Sequence, residues 1–240
     1  MHRDFDVGEN ESWEGTGWYT MRSLMTDAMP RILCEPSPYG MSTAAIRNSP
    51  NPNRKFVRTY ETVAPFYSLI PSGPHESQLF KAWHPIDDLS CFTFYIHFDP
   101  SRPLDHDAIL RNWGHRTEVP AYATRYNLGN HHLQSRAGMN LNFSGISGAA
   151  IQDLALQESM GPIVDRAQEN LGTSDVAVVN FRRMLLRLID DNEAGRPLPG
   201  QDPALDYNLR GASIDIPTDR PWPDARRIQD EFERDNPRAS

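Results

Sequence analysis

The two kinds of hydrophobic periodicity in this chain are separated along its length, and that order constrains the fold more than any single motif. Arg31 to Arg47 is broken by Pro36-Ser37-Pro38-Tyr39-Gly40, so it reads as two short strands or as one strand after a loop. Lys55 to Ile70 alternates Phe56, Arg58 and Tyr60 against Val57 and Thr59 and is rich in aromatic and β-branched residues. Leu79 to Asp99 gives two strands around a turn at Asp87-Asp88, with Pro85 at its shoulder. Neighbouring strands joined by tight turns make an antiparallel sheet. Helical spacing follows, in Asp105 to Arg116 and again from Ile151 to Asp190. Strands first and helices after imply an α+β domain.

The helical part is punctuated within Asn142 to Asp175. Ile151, Leu154, Ala155 and Met160 fall on one helix face, with Gln152, Asp153, Gln157 and Glu158 interleaved and an acid near the start. Gly161-Pro162 breaks this helix, because proline lacks an N–H and disfavours helical geometry in the residue before it. A second short helix is expected to end near Gly172 as a left-handed C-cap, with Ser174 as N-cap of a third helix through Asp190. In that helix Phe181, Leu185, Leu188 and Ile189 form an apolar stripe and Arg182, Arg183 and Arg187 a wet face. Beyond Gly195 the prolines at 197, 199, 203, 217, 221 and 223 point to an extended, sheet-poor tail. The expected organisation is an irregular segment over 1–30, a domain over 31–195 and a Pro-rich tail over 196–240.

Charge and cysteine content exclude several functions. The formal charge is −8, and Lys and Arg form no long run, so no nucleic-acid partner is expected. No apolar stretch approaches the roughly 20 residues of a membrane span, and MHRDFDVGENES lacks an apolar signal core, so a soluble cytoplasmic protein is expected. Cys34 is followed by Glu35-Pro36 and Cys91 by Phe92-Thr93, so neither heads a C-x-H or C-x-x-H pair. A 2Fe-2S cluster held by two cysteines and two histidines cannot be built from this chain. Both cysteines are expected as small core residues. His75, His84, His97, His106 and His115 are isolated from one another, and tandem His131-His132 point in different directions on any regular element. Val119 to Leu141 reads as a long polar connection. No hydrolase elbow, zincin helix or P-loop occurs.

The segment QDLALQESMGPIVDRAQENLGTSD closely resembles the region near the C-terminus of the large subunit of Rieske non-haem iron oxygenases, in the phthalate 4,5-dioxygenase-like group. VAPFYSLIPSG, AWHPIDD and FDPSRPLD look like sheet segments of the same enzymes, so the resemblance covers about Tyr39 to Asp190. It implies a curved antiparallel sheet gripping C-terminal helices, a helix-grip or START-like fold, with the ligand pocket between them. It also implies that Asp153 is the carboxylate of a two-His, one-carboxylate mononuclear Fe(II) site, a set that leaves open positions for dioxygen. Met1-His2-Arg3 matches the last three residues of a family motif S-H-x-x-x-L/M-H-R, which makes His2 the second histidine ligand. The first would lie five residues before His2, upstream of the chain, so the iron site is incomplete here.

The expected substrate is an aromatic compound, often a carboxylate, oxidised with dioxygen. Arg58 is the first candidate to grip the carboxylate and Arg22 the second. In the intact family a Rieske domain of an adjacent subunit and a reductase supply electrons, and the subunits assemble as trimer-type homo-oligomers. Three readings stand: the catalytic-domain portion of such an oxygenase, inactive alone; a subunit of a two-polypeptide enzyme; or a non-catalytic aromatic-ligand-binding protein of the same fold. The competing roles are ordinary ones: an acid near a helix start favours the helix dipole, and an arginine on a strand is commonly structural.

Overall fold

The computed structural model describes residues 27–99, 102–113, 117–118, 122–140 and 143–237. The described residues fall into two compact units, one within 103–169 and the other within 27–102 and 170–237.

The larger unit is built on the predicted sheet. β1 (Arg31–Ser37), β2 (Gly40–Asn48), β3 (Arg54–Val63), β4 (Tyr67–Ile70), β5 (Gln78–Pro85) and β6 (Cys91–Phe98) are antiparallel neighbours in that order. The turns at Pro38-Tyr39 and after Pro85 fall where the sequence places them. In the second, the Asp87 carboxylate accepts the N–H groups of Leu89 at 2.9 Å and Ser90 at 2.7 Å, which explains the acid there. Lys55 to Ile70 is not one strand. It folds back at Ala64-Pro65-Phe66, where a proline cannot donate to a central ladder.

The Pro-rich tail departs further from expectation. Residues 196–211 carry no helix or strand, but β9 (Ala212–Pro217) pairs with β3, and α4 (Asp224–Asp235) follows it. The prolines at 217, 221 and 223 flank these elements instead of interrupting them, and Ile214 and Ile216 supply strand-type apolar residues at alternate positions. The core forms here: Ala44, Val57, Ala212, Ile214 and Ile216 from the sheet meet Trp222 and Ala225, with Leu33, Ile46, Ile228 and Phe232 packed around them. Gly211 admits β9, since a Cβ at this position would collide with the Thr59 carbonyl and the Pro71 backbone. Gln229, fully buried in α4, accepts the Ser213 N–H at 2.9 Å and donates to Ser72 O and Glu233 Oε1, both at 3.1 Å. On the outer side of α4, Arg210 bridges Asp230 and Glu233.

Glu61 of β3 is a second polar anchor. Its Oε2 accepts the hydroxyls of Tyr39 and Ser42, both at 2.6 Å. Burial pushes the Glu61 carboxyl above the usual carboxylate range, and burial together with the bond to Glu61 pushes the Tyr39 phenol up to about 12. A carboxyl with a raised folded-state pKa holds its proton more tightly when folded, so its ionisation costs stability as pH rises from the unfolded pKa through the folded one. Glu61→Gln keeps an oxygen for both hydroxyls and removes the charge. It is expected to flatten the loss of unfolding free energy as pH rises above the ordinary carboxylate range, read by urea denaturation at a series of pH values; an unchanged slope would refute the assignment.

α3 (Val176–Glu193) lies against β1 and β2 in the same unit. Met184 is its buried residue, Phe181, Leu185 and Leu188 are half-buried, and Ile189, placed in the apolar stripe by periodicity, is 54% exposed. The helix begins at Val176 after a single 3-10 turn, Thr173–Asp175, so Ser174 is not its N-cap. Gly172 has φ −102°, not a left-handed C-cap geometry, and its N–H donates to Asp175 Oδ2 at 2.8 Å. Asp175 has taken the turn-closing role because it sits three residues on. The cysteines also differ from expectation: Cys34 is half-buried, but Cys91 is exposed on the sheet's edge.

The smaller unit holds α1 (His106–Trp113), a short ribbon of β7 (Thr117–Glu118) and β8 (Ala123–Thr124), two 3-10 turns at Leu128–Leu133 and Ala137–Asn140, and α2 (Ala149–Ser159). α2 stops where Gly161 takes φ +85° ahead of Pro162. The short helix expected after it is reduced to one 3-10 turn, Arg166–Gln168, capped by the Asp165 carboxylate on the Ala167 N–H at 3.0 Å. Arg166 consequently pairs with Glu169, not Asp165.

Candidate functional site

Asp153 sits in the second turn of α2, one turn later than a dipole-stabilising acid would stand. Gln152 fixes the approach to the helix by donating from Nε2 to Ile146 O at 2.9 Å. Ala150 and Ile151 are buried, and Asp153 projects about 200° round the helix from Ile151. Met160, expected on the apolar face, is 55% exposed. The Asp153 carboxylate is partly buried and forms neither a hydrogen bond nor an ion pair among the described residues. His2 lies outside the described residues, as does Arg22. Among the described residues no group of three or more His, Cys, Asp or Glu is arranged to hold a metal.

Near α2 stands a residue that sequence periodicity does not single out. His131, His132 and Leu133 all have positive φ, between 52° and 53°, a run that side-chain-bearing residues rarely adopt. His131 is exposed and His132 is buried, so the tandem pair does diverge. His132 Nε2 approaches Glu158 Oε2 of α2 to 3.4 Å, but neither ring nitrogen makes a hydrogen bond. The two Asn residues of the preceding turn hold it by a reciprocal cap, Asn130 N–H to Asn127 Oδ1 at 3.2 Å and Asn127 N–H to Asn130 Oδ1 at 3.1 Å.

In the larger unit, the register puts Arg58 opposite Ala45 of β2 and Ser213 of β9. Arg58 therefore lies on the sheet face opposite the α4 core, with Phe56, Tyr60, Ala45 and Arg47. Its guanidinium lies 5.3 Å from the Tyr60 ring centre, and its Nε is buried without a hydrogen-bond partner. Arg47, missed by the sequence reading, is its neighbour. Arg47 Nε donates to Asp27 O at 3.0 Å while its Nη1 is buried and unbonded. Burial, and after it the positive charge of Arg58, pulls the Arg47 pKa below its ordinary value. Two half-buried guanidiniums that repel each other thus keep buried donors unused on this face of the sheet. The signal was available: strands joined across residues 49–53 set Arg47 opposite Phe56, two residues from Arg58.

A family described as LigXa C-terminal domain like matches residues 8–234. The chain is 36% identical over 186 residues to the phthalate 4,5-dioxygenase oxygenase subunit of Pseudomonas putida, covering 73% of this chain and 41% of that protein. It is 29% identical over 171 residues to the 3-chlorobenzoate-3,4-dioxygenase oxygenase subunit of Comamonas testosteroni, covering 63% of this chain and 40% of that protein. The chain thus spans about two fifths of the length of these curated relatives.

Proposed function

The chain belongs to the LigXa C-terminal domain-like family, and from that membership we propose that it is the catalytic portion of a Rieske-type aromatic-ring-hydroxylating oxygenase acting on an aromatic carboxylate. The observation that carries this reading is the unpartnered carboxylate of Asp153 on α2. Asp153 and His2 are the ligands this chain would give to a mononuclear ferrous ion, whose chemistry is the activation of dioxygen at open coordination positions. A two-His, one-carboxylate site needs one histidine beyond these two ligands, and without it the chain alone is proposed to be inactive. The 2Fe-2S cluster and the reductase that delivers electrons are partners of this chain, in a trimer-type homo-oligomer and in the cytoplasm. Among the described residues no helix is long and apolar enough to cross a membrane.

The names of both relatives share an aromatic ring bearing a carboxylate. Arg58, backed by Arg47, is the group proposed to bind that carboxylate, with Arg22 as the second candidate. What this chain's residues do is bind and orient: the guanidinium fork fixes the carboxylate in one plane, and the Tyr60 ring keeps Arg58 in place. Titration of the chain with phthalate and 3-chlorobenzoate, followed by intrinsic fluorescence, is expected to saturate, with the methyl esters at least about tenfold weaker. Arg58→Met is expected to weaken carboxylate binding roughly 10–100-fold, the worth of one charge-assisted contact. Equal binding of acid and ester, or an unaffected Arg58→Met variant, would remove the carboxylate from the proposal. A second reading is a non-catalytic aromatic-ligand binder of the same fold. Carboxylate binding without any iron binding would select it.

A further inference from the structure

Ten of the 240 residues carry sulfur, two cysteines and eight methionines. Three of them, Cys34, Met41 and Met184, are among the eight residues that line one cavity of about 40 Å³ between β1, β2 and α3. Strand pairing explains how the three come together. Cys34 stands opposite Thr43 and Met41 opposite Pro36, so Cys34 and Met41 are diagonal neighbours on one face of the sheet, a spacing that long side chains bridge. α3 lies against β1 and β2 and presents Asn180, Met184 and Arg187, at i, i+4 and i+7, to the same space. Met41 and Met184 are 6% and 5% exposed. The Thr43 hydroxyl donates to Cys34 Sγ at 3.7 Å, which orients the thiol on this side of the sheet.

Methionine is the flexible side chain that closes irregular gaps in a core, so two of them bordering a space left open depart from their ordinary role. Gly40, where a Cβ would strike the Thr62 carbonyl, adds no side chain to fill it. A single water needs roughly 10–15 Å³, so the cavity fits a bare ion and is too small for an aromatic substrate. We propose that Cys34, Met41 and Met184 form a binding site for one soft monovalent cation, cuprous copper. One thiolate and two thioethers are the donors that soft metals select, whereas magnesium and calcium take oxygen. Binding exchanges a proton for the ion: the Cys34 S–H bond breaks, an S–Cu bond forms, the proton leaves to solvent, and copper stays Cu(I) throughout. One thiolate with one monovalent ion is a neutral unit, which suits a half-buried place, and a divalent ion would leave net charge there. The exposed Arg187 and Glu35 beside it are of opposite sign and add none. The site shares no residue with those assigned to the ferrous ion or to the substrate carboxylate, and it does not depend on the oxygenase reading.

Anaerobic titration of the reduced full chain with Cu(I), in competition with a chromogenic cuprous chelator, is expected to show one tightly held ion per chain, with Ag(I) as a redox-inert substitute. Cys34→Ser is expected to weaken binding about 100-fold or more, and Met41→Leu and Met184→Leu about tenfold each, since groups that only support a metal ligand already cost about 10–100-fold. Methionine to leucine nearly conserves volume, so the urea midpoint of the metal-free chain should move little. Cys91→Ser, which removes the exposed thiol, should leave the affinity unchanged. Should Cys34→Ser fail to fold, protection by Ag(I) of Cys34 but not Cys91 against iodoacetamide, located by peptide mass, is the matching readout in the unaltered chain. No tight ion, or an ion lost with Cys91→Ser, overturns the proposal. Unchanged affinity in both methionine variants overturns it as well, because a single thiol would then account for the binding.

Discussion

Exchanging Asp153 for asparagine is expected to lower the affinity of the chain for Fe(II) roughly 100-fold or more, because even residues one step removed from a metal cost 10–100-fold when replaced. Anaerobic loading followed by competition with a chelator of known affinity measures it, with no need for turnover. The substitution is close to isosteric, and the carboxylate it removes has no hydrogen bond or ion pair among the described residues. The melting temperature of the metal-free chain should therefore not move. A neutral amide oxygen is a poor ligand for a hard divalent cation, whereas the fold is indifferent to the exchange. Equal iron retention by both proteins would take Asp153 out of the metal site, and absence of iron binding by the unaltered chain would favour the ligand-binder reading.

The second large effect concerns the fold. Gln229→Leu is expected to lower the unfolding free energy by about 3–5 kcal/mol, seen as a shift of the urea midpoint without a change of slope. The leucine is of similar size, so the loss is not a cavity effect. It strands the Ser213 N–H and the Ser72 carbonyl, each bonded to the fully buried Gln229 side chain. An unsatisfied buried backbone group costs about 1–3 kcal/mol, and two are created. A loss below about 1 kcal/mol would mean that water or a shifted backbone replaces both bonds. Gln229→Glu separates the terms, since it keeps the acceptor for Ser213 and loses the donor to Ser72.

The sheet was legible because its turns are written in residues that act locally. Pro38-Tyr39-Gly40 and Asp87-Asp88 mark their reversals through their own backbone preferences and side-chain bonds. The reversal at Pro65 was hidden by the apolar residues on either side of it, which continue the strand pattern through the turn. β9 was not legible at all. Six residues among prolines carry too little pattern to overrule composition, and what makes them a strand is the partner surface of β3, far away in sequence. The same distinction governs the site. Asp153 was singled out through family resemblance and its motif, and nothing in local periodicity distinguishes it from any other helix acid. Arg47 was missed because its significance is relational: only the pairing of β2 with β3 sets it beside Arg58. The buried, strained His132 left no trace in the sequence, since a tandem histidine is equally compatible with an exposed loop.

β9 also dictates when the larger unit can become stable. Ala212 donates its N–H to the Thr59 hydroxyl across 153 residues of chain, and the core residues Ile214 and Ile216 arrive with it. During synthesis the ribosome will have released β1 to β6 long before the strand that completes their middle emerges. The nascent sheet must wait with the apolar side of β3 open to solvent and to chaperones, and a ribosome that stalls before β9 leaves six paired strands and no finished core.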